Sequence, residues 1–377
     1  MTRLFDSLKK KYPELCLFLF ERPDRQIGYS IIGKHHTDSV LEKSLHRNTI
    51  TYNPISHLRA IIKILSHSKH AKAIIHECKT NGLTLAQIYG QLFYYNKLLG
   101  RKFELVHINA LQTAYHFKAK SWFRGAKVLV SSRGQDFDFF PDKYDLALTN
   151  ADHVHVLGNY LQRKVIDRGV PAERITIIPP AFPGNILNAS CKHLAKGTIN
   201  IATAARLEWT KGYRYSIRAI KLLVDRGINV IYNIYGDGSQ REELLYLIKY
   251  LNLTDRVILH GWTNENVLIP ALKANDLYLL LSIEEAFNNS VLLAQSLGLP
   301  CVVSRTGGLP ENVVHENSGL VVERYDSQSA AKAIEDLISD PEVYTRYSKN
   351  ASERVIDFSI DRQVEAFTQL YEKLLTE

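Results

Sequence analysis

The segment SIEEAFNNSVLLAQSLGLPCVVS, residues 282–304, contains the repeating unit that decides the fold. It begins with two adjacent acids, continues as an apolar helix predicted from about Asn289, turns at Gly298 and Pro300, and ends in a strand. An apolar strand that follows a helix after a short turn is typical of a parallel α/β sheet. The two acids stand before the helix, where negative charge is favoured and where free N–H groups can bind an anion. They are therefore either capping residues or one wall of a polar site.

The same alternation runs through the whole C-terminal half. The strand-like stretches are TINIATA, NVIYNIY, RVILHG and LYLLLS, and helices are predicted from Lys211 to about Arg226, from Gln240 to about Leu251, and at 265–274. This pattern predicts a doubly wound domain over residues 197–377. A linker rich in turn formers is predicted at about 180–196.

The N-terminal half has a less regular pattern. Strands are predicted within 104–110, 126–132, 153–158 and 174–180, with helical stretches between them. They indicate a second α/β domain over residues 1–185. Its segment 54–98 is predicted to be purely helical, and the region before residue 50 has only one convincing strand.

Length and composition favour a globular protein of two domains. The chain has 377 residues, of which 45% are hydrophobic and 23% charged. No apolar run approaches the roughly 20 residues that a membrane-spanning helix needs, and LCLFLF at 15–20 is too short for a signal peptide. A cytoplasmic location is therefore expected. The four cysteines are widely scattered, which predicts reduced thiols.

The positive charge is concentrated in the N-terminal half. Residues 1–190 hold 27 Lys and Arg against 15 Asp and Glu, whereas residues 191–377 hold 20 against 24. An anionic membrane face or an anionic lipid carrier fits this balance, which predicts peripheral association with the inner face of the cell membrane. A merely solvated basic surface fits it equally well. Nucleic acid is not an expected partner, because no basic helix or aromatic-basic RNA motif accompanies the charge.

Four polar loops follow predicted strands of the C-terminal half and are expected to converge. They are RLEWTKG at 206–212, GDGS at 236–239, SIEEAFNNS at 282–290 and SRTGGLPE at 304–311. Arg206 and Lys211 lie five residues apart across a strand-to-helix turn, so both can reach one anion such as a diphosphate. Gly307 and Gly308 would let backbone amides approach a ligand closely. Taken alone, an Arg and a Lys in a loop are more often solvated surface residues, and a pair of glycines is more often only a turn. The four loops together predict a binding site.

Other kinds of site are not indicated. None of the 14 histidines has the spacing of a zinc site, so no metal and no bound cofactor are expected. The chain contains no nucleophile elbow and no G-x-x-x-x-G-K-S/T phosphate loop.

The order RLxxxKG, GDG, SxxExF and TGGxPE, with a helix ending in G-x-P, resembles the retaining sugar-nucleotide-dependent glycosyltransferases of family 4. In the first half, VLVSSRGQDFDFFP at 128–141 and GNYLQRKVIDRGVPAERITIIPPAF at 158–182 resemble the corresponding segments of that family. The resemblance covers roughly residues 104–375. It implies the GT-B fold, in which two Rossmann-like domains face each other across a cleft. It also implies that the domain at 197–377 binds the nucleotide sugar and that the last helix crosses back to the N-terminal domain.

The resemblance assigns roles by position. Glu285 would contact the transferred sugar, and Arg206 and Lys211 would stabilise the diphosphate. The remaining donor-binding positions would be Gly236, Phe287, Asn288, Asn289, Ser290, Leu293, Gly307 and Gly308. The acceptor side would include His107, Arg133, Gly134 and Asp136.

The chain also departs from the family pattern. Leu293 stands where the second Glu of the Glu-x7-Glu motif binds the ribose, Ala286 replaces a glycine, and Arg133 replaces a histidine. The glycine-rich loop that normally follows the first strand is missing, and RQIGYSIIG at 25–33 is a poor substitute. Two hypotheses follow. The protein is a retaining, metal-independent hexosyltransferase that acts on a surface-glycan or lipid-linked saccharide, or it is a weakly active or inactive glycosyltransferase-like subunit that binds another protein.

Overall fold

A computed structural model describes most of the chain. The described residues are 15–22, 25–34, 54–95, 98–100, 103–115, 117–123, 125–134, 137, 143–181, 191–194 and 197–377. They form two compact units. Unit 1 combines Met1–Leu157, Leu161–Ile178 and Gln363–Glu377, and unit 2 combines Gly158–Tyr160 with Pro179–Arg362.

Unit 1 is built on a mixed sheet in the order β1-β2-β3-β4-β5-β6. Strands β1 and β2 are antiparallel, β2 is antiparallel to β3, and β3 to β6 are parallel. The strands are Leu15–Arg22, Arg25–Lys34, Leu105–Ile108, Lys127–Ser132, His153–Val156 and Ile175–Ile177. The prediction of one strand before residue 50 was wrong, because β1 and β2 pair with each other. RQIGYSIIG at 25–33 belongs to β2 and is not a loop.

Helices of unit 1 include the expected helical segment between β2 and β3. In the described part of the chain before β6, the helices are α1 Pro54–Ser66, α2 Ser68–Thr80, α3 Leu85–Tyr95, α4 Leu111–Ala114, α5 Asp145–Asn150 and α6 Asn159–Ile166. Helices α1, α2 and α3 contact one another. The first two residues of α6 belong to unit 2.

Unit 2 has a fully parallel sheet in the order β12-β11-β10-β7-β8-β9. The strands are β7 Ile199–Ala204, β8 Val230–Tyr235, β9 Val257–Gly261, β10 Leu277–Leu280, β11 Cys301–Ser304 and β12 Gly319–Val322. The helices are α7 Tyr213–Asp225, α8 Arg241–Tyr250, α9 Glu265–Lys273, α10 Asn289–Ser296, α11 Leu309–Asn312, α12 Ser327–Ser339 and α13 Pro341–Arg354. The predicted doubly wound arrangement of this half is confirmed.

The strand order of unit 2 reverses direction at β7. Strands β8 and β9 extend the sheet on one side of β7, while β10, β11 and β12 extend it on the other. Loops that leave neighbouring strands toward opposite sides open a crevice at the carboxyl ends of those strands, where open α/β sheets bind ligands. In this unit that position lies beyond the ends of β7 and β10.

A chain of hydrogen bonds is buried in the sheet of unit 1. His107 on β3 contacts the Tyr371 hydroxyl through Nδ1 and Ser131 Oγ through Nε2, both at 2.7 Å. Ser131 Oγ also contacts His155 Nδ1 at 2.7 Å, and His155 Nε2 bonds the carbonyl of Ile178 at 2.8 Å. Tyr371 lies on α14 Ile360–Thr376, the last helix, so these bonds join α14 to the strands of unit 1.

No helix in the described part of the chain has the length and apolar character needed to span a membrane.

Candidate functional site

A buried ion pair lies at the position where the strand order of unit 2 reverses. Lys211 ends a short 3-10 turn, Trp209–Lys211, after β7, and Glu285 lies in the loop after β10. The Lys211 ammonium contacts Glu285 Oε2, and the two side chains are only 12% and 9% exposed. Asn288 Nδ2 donates to the same carboxylate oxygen at 2.9 Å. The sequence-predicted Lys211, Glu285 and Asn288 are thus brought together.

Asn288 connects this pair to α10. Its side-chain oxygen accepts from the Val291 amide at 3.0 Å, so it caps the helix, while its amide group donates to Glu285. The buried Asn312 holds Asn288 in place, because Oδ1 of Asn312 accepts from the Asn288 N–H at 3.1 Å and Nδ2 donates to the Asn288 carbonyl at 3.3 Å. Sequence analysis did not single out Asn312. Its only signal was its position directly after the GGLPE motif.

The glycines of the TGGLPE loop allow it to pack against the Glu285 loop. Gly307 has φ +49°, and a Cβ there would overlap the carbonyl oxygen of Glu285. A Cβ at Gly308 would overlap the carbonyl oxygen of Ala286. The Gly308 N–H donates to the Glu285 carbonyl at 2.9 Å. This amide therefore fixes the loop, and its predicted contact with a ligand stays a prediction.

Two further glycines bring the other loops close to the strand ends. Gly212 follows Lys211 with φ +63°, and a Cβ there would overlap the carbonyl oxygen of Leu281. Gly236 of the GDG motif has φ +146°, and a Cβ there would overlap the carbonyl oxygen of Ala205. Arg206 is exposed beside this contact, and within the described part of the chain no carboxylate pairs with it.

The two adjacent acids of the opening segment have different partners. Glu285 is buried with Lys211, whereas Glu284 accepts from Arg324 Nη1 at 3.0 Å nearer the surface. Arg324 Nη1 also donates to the Ile283 carbonyl at 3.2 Å. Glu284 therefore stabilises the flank of the loop, and Glu285 belongs to the candidate site.

The remaining predicted donor-binding residues lie along the start of α10. Asn289 is exposed and Ser290 is half-buried. The ring of Phe287 contacts Phe358 with centroids 5.7 Å apart. Leu293 is buried in the apolar cluster that α10 forms with β10 and β11. Its predicted place in the donor site stays a prediction.

The predicted acceptor-side residues belong to unit 1, and the described ones do not form a single cluster of contacts. Arg133 and Gly134 follow β4, and Arg133 Nη1 donates to Asn109 Oδ1 at 3.3 Å. Asp136 lies outside the described residues. His107, which was predicted on the acceptor side, is buried within β3, and both its ring nitrogens are hydrogen-bonded.

Burial lowers the pKa of two histidines in unit 1, His107 and His155. Burial, then the neighbouring His155 and Arg133, hold the pKa of His107 well below its ordinary value. Burial lowers the pKa of His155 to about 3, although its bond to the Ile178 carbonyl acts in the opposite direction. Both imidazoles are neutral at pH 7 and serve as structural hydrogen-bonding groups.

Part of the chain matches a known family. Residues 191–354 match the family model described as glycosyl transferases group 1. This segment is similar to group 1 glycosyltransferases, and it makes up less than half of the chain. It contains Arg206, Lys211, Glu285 and the two-glycine loop, so the candidate site lies inside the matched region.

Part of the chain is also similar to curated proteins, among them glycosyltransferases. The chain is 31% identical over 212 residues to the UDP-Gal:alpha-D-GlcNAc-diphosphoundecaprenol alpha-1,3-galactosyltransferase of Escherichia coli, which covers 55% of this chain and 53% of the relative. It is 33% identical over 143 residues to the N-acetyl-alpha-D-glucosaminyl L-malate synthase of Bacillus anthracis, covering 38% and 37%. The chain thus spans about half or less of the length of these relatives.

Solved structures show the fold over about three quarters of the chain. Anabaena HepE in complex with UDP superposes with a TM-score of 0.65 at 20% identity, covering 72% of this chain and 79% of that one. Sucrose-phosphate synthase from Thermosynechococcus elongatus gives 0.64 at 21% identity, covering 77% and 78%. Together with the two Rossmann-like sheets, these similarities confirm the predicted GT-B fold.

Proposed function

We propose that the protein is a retaining glycosyltransferase that moves a hexose from a nucleoside-diphosphate sugar to a surface-glycan or lipid-linked saccharide, without a metal ion. The observation that carries this proposal is the buried Lys211–Glu285 pair at the reversal of the strand order in unit 2. Buried charges that are held at the ligand-binding edge of an α/β sheet are typical of a functional site. The E. coli relative, named for a UDP-Gal donor and a diphosphoundecaprenol-linked acceptor, supports the choice of substrate classes.

The diphosphate leaving group is assigned to Arg206 and Lys211. Both lie in the loop between β7 and α7, and Lys211 is held at a fixed position by Glu285. Cations that are already oriented stabilise the negative charge that develops as the glycosidic bond to the diphosphate breaks. The N-terminus of α10, which begins at Asn289, adds partial positive charge beside them.

Glu285 is assigned to the hydroxyl groups of the transferred sugar. Its Oε2 atom is occupied by Lys211 and Asn288, whereas Oε1 accepts no hydrogen bond from any described residue. Because the bonds to Oε2 fix the orientation of the carboxylate, Oε1 can accept a hydrogen bond from a sugar hydroxyl without a rearrangement of the side chain. Gly307 and Gly308 keep the backbone of this loop in position, because side chains there would collide with it.

The acceptor is assigned to unit 1, where Arg133 and Gly134 follow a parallel strand. The basic N-terminal half suits an acceptor that carries phosphate or is linked to an anionic membrane. We therefore place the protein at the inner face of the cell membrane as a peripheral protein.

The direct test incubates the full chain with labelled UDP-, GDP- and ADP-sugars and with lipid extracts as acceptors, in the presence of a chelator. The expected result is transfer of label to a glycolipid with retained anomeric configuration, determined by NMR of the product. An absolute requirement for a divalent cation, or an inverted product, would contradict the proposed mechanism.

A second candidate function is that of a glycosyltransferase-like partner subunit. It is favoured by Leu293, an apolar residue buried in a side-chain cluster at the position where the family pattern has a charged ribose ligand. Calorimetric titration of the folded protein with UDP, GDP and ADP separates the two candidates. Binding of one nucleotide supports the transferase, and binding of none supports the partner subunit.

A further inference from the structure

Helix α1 of unit 1 presents an apolar face to solvent. Leu58, Ile61, Ile62 and Leu65 are between 42% and 68% exposed. Their spacing of three, four and seven residues places them on one side of the helix. Ala60, which belongs to the other side, is buried. The four large side chains therefore form a continuous stripe, which we call the α1 stripe. Single apolar side chains are common on protein surfaces, whereas a continuous apolar patch marks an interaction site.

Helix α1 and the adjoining helix α2 carry an excess of positive charge. The segment 54–80, which covers α1 and α2, contains five Lys and Arg residues and a single acid, Glu77. Arg59, Lys69, Lys72 and Lys79 are exposed, and none of them forms an ion pair with a described carboxylate. Glu77 is already occupied, because its carboxylate accepts from the backbone amides of Lys120 and Ser121 at 2.7 and 2.9 Å.

We propose that α1 lies flat on an anionic lipid surface, with the α1 stripe inserted among the acyl chains near the headgroups. A helix with one apolar face and basic residues around it is the kind of element that binds in the interface of a membrane. Anionic headgroups complement the lysines and Arg59, while the apolar side chains leave water. A second copy of this chain fits less well, because pairing two such faces would bring like charges together.

This inference rests on the proposed membrane association and names the surface responsible for it. It does not depend on the transferase reaction. Vesicle binding therefore tests it separately from any measurement of sugar transfer.

The first experiment measures co-sedimentation of the full chain with vesicles of 30% phosphatidylglycerol in phosphatidylcholine, and with phosphatidylcholine alone. The test variant is Ile62→Ser/Leu65→Ser. The matched control, Tyr246→Ser/Val267→Ser, removes two exposed apolar side chains from unit 2. We expect the partition coefficient of the test variant to fall at least tenfold, because two apolar side chains no longer leave water. The control should remain within twofold of the unchanged protein, with circular dichroism confirming that both are folded.

The second experiment reports on insertion itself. A polarity-sensitive fluorophore on Leu65→Cys should shift to shorter wavelength when anionic vesicles are added, and brominated lipids should quench it. The same fluorophore on Val267→Cys should show neither change. Both results support the proposal.

Three outcomes would overturn the inference. If the unchanged protein binds no anionic vesicles at low salt, peripheral association fails together with the proposed surface, while sugar transfer remains a separate question. If Ile62→Ser/Leu65→Ser binds the vesicles as well as the unchanged protein does, another surface of the protein makes the membrane contact. A lipid-free dimer that this variant dissociates would show that a second copy covers the α1 stripe.

Discussion

The two units bury polar groups at different places relative to their strands. In unit 2, Lys211 and Glu285 lie in loops beyond the carboxyl ends of β7 and β10. In unit 1, His107, Ser131 and His155 lie within β3, β4 and β5. The first set retains a carboxylate oxygen without a described partner, whereas each histidine of the second set is bonded at both ring nitrogens. In this protein the buried polar residues beyond the strand ends therefore form the candidate site, and those within the strands form a core network.

The largest effect is expected from breaking the ion pair of unit 2. Lys211→Met leaves the Glu285 carboxylate buried without its cation, which should lower the free energy of unfolding by about 3–5 kcal/mol. It should also reduce turnover at least about 100-fold, because a cation at the leaving group is lost. Chemical denaturation and the transfer assay measure the two effects.

Lys211→Met/Glu285→Gln is the control for this prediction. It removes both charges, so most of the stability should return while turnover stays low. If the double variant is as unstable as Lys211→Met, uncompensated charge is not the cause.

The close packing of the two-glycine loop comes next. Gly307→Ala introduces a Cβ onto the Glu285 carbonyl at a positive φ, and we expect it to cost about 2–3 kcal/mol of stability. Gly227→Ala is the matched control, because Gly227 also has positive φ but nothing within 4 Å of its Cβ position. It should cost only about 1 kcal/mol. Equal costs from the two substitutions would show that the loop is not held against Glu285.

The histidine network of unit 1 should make stability depend on pH. A pKa near 3 in the folded state lies below the ordinary value near 6.5, so the unfolded chain binds the proton more readily. Stability is therefore complete above about pH 6.5 and is lost as the pH falls toward 3. Between pH 7 and pH 5 the loss should be about 2 kcal/mol for His155, with a further loss from His107.

Denaturation curves of the unchanged protein and of His155→Gln at both pH values test this dependence. The variant should show the smaller loss between pH 7 and pH 5, even if it is less stable overall. An equal loss of stability between pH 7 and pH 5 in the two proteins would contradict a neutral His155 in the folded protein.

The smallest effect is expected at Glu284. Its pair with Arg324 is partly exposed, so Glu284→Ala should change stability by less than about 0.5 kcal/mol and leave turnover within about twofold. Glu285→Ala, one residue further on, should depress turnover strongly, because Glu285 is the proposed contact to the sugar and also holds Lys211 in position. Similar turnover in the two variants would remove the distinction between the adjacent acids.

The sequence by itself determined most of unit 2. Apolar strands alternating with helices predicted β7 to β11, and Asn289 was correctly placed at the start of α10. These features are local, because strand and helix periodicity are present in the residues of each segment. The same reasoning placed the polar loops of the candidate site at the carboxyl ends of the strands.

Only the tertiary structure decided which partners those polar residues have. In the folded protein Glu285 pairs with Lys211, and Glu284 pairs with Arg324. The Gly308 amide donates to the Glu285 carbonyl, and Asn312 hydrogen-bonds Asn288. The tertiary structure also buries His107 against Tyr371, a residue 264 positions away in the sequence. Such contacts join segments far apart in the chain, and their distances depend on how sheets and loops pack. Residue spacing therefore identified the loops, but only packing determined the partner of each side chain.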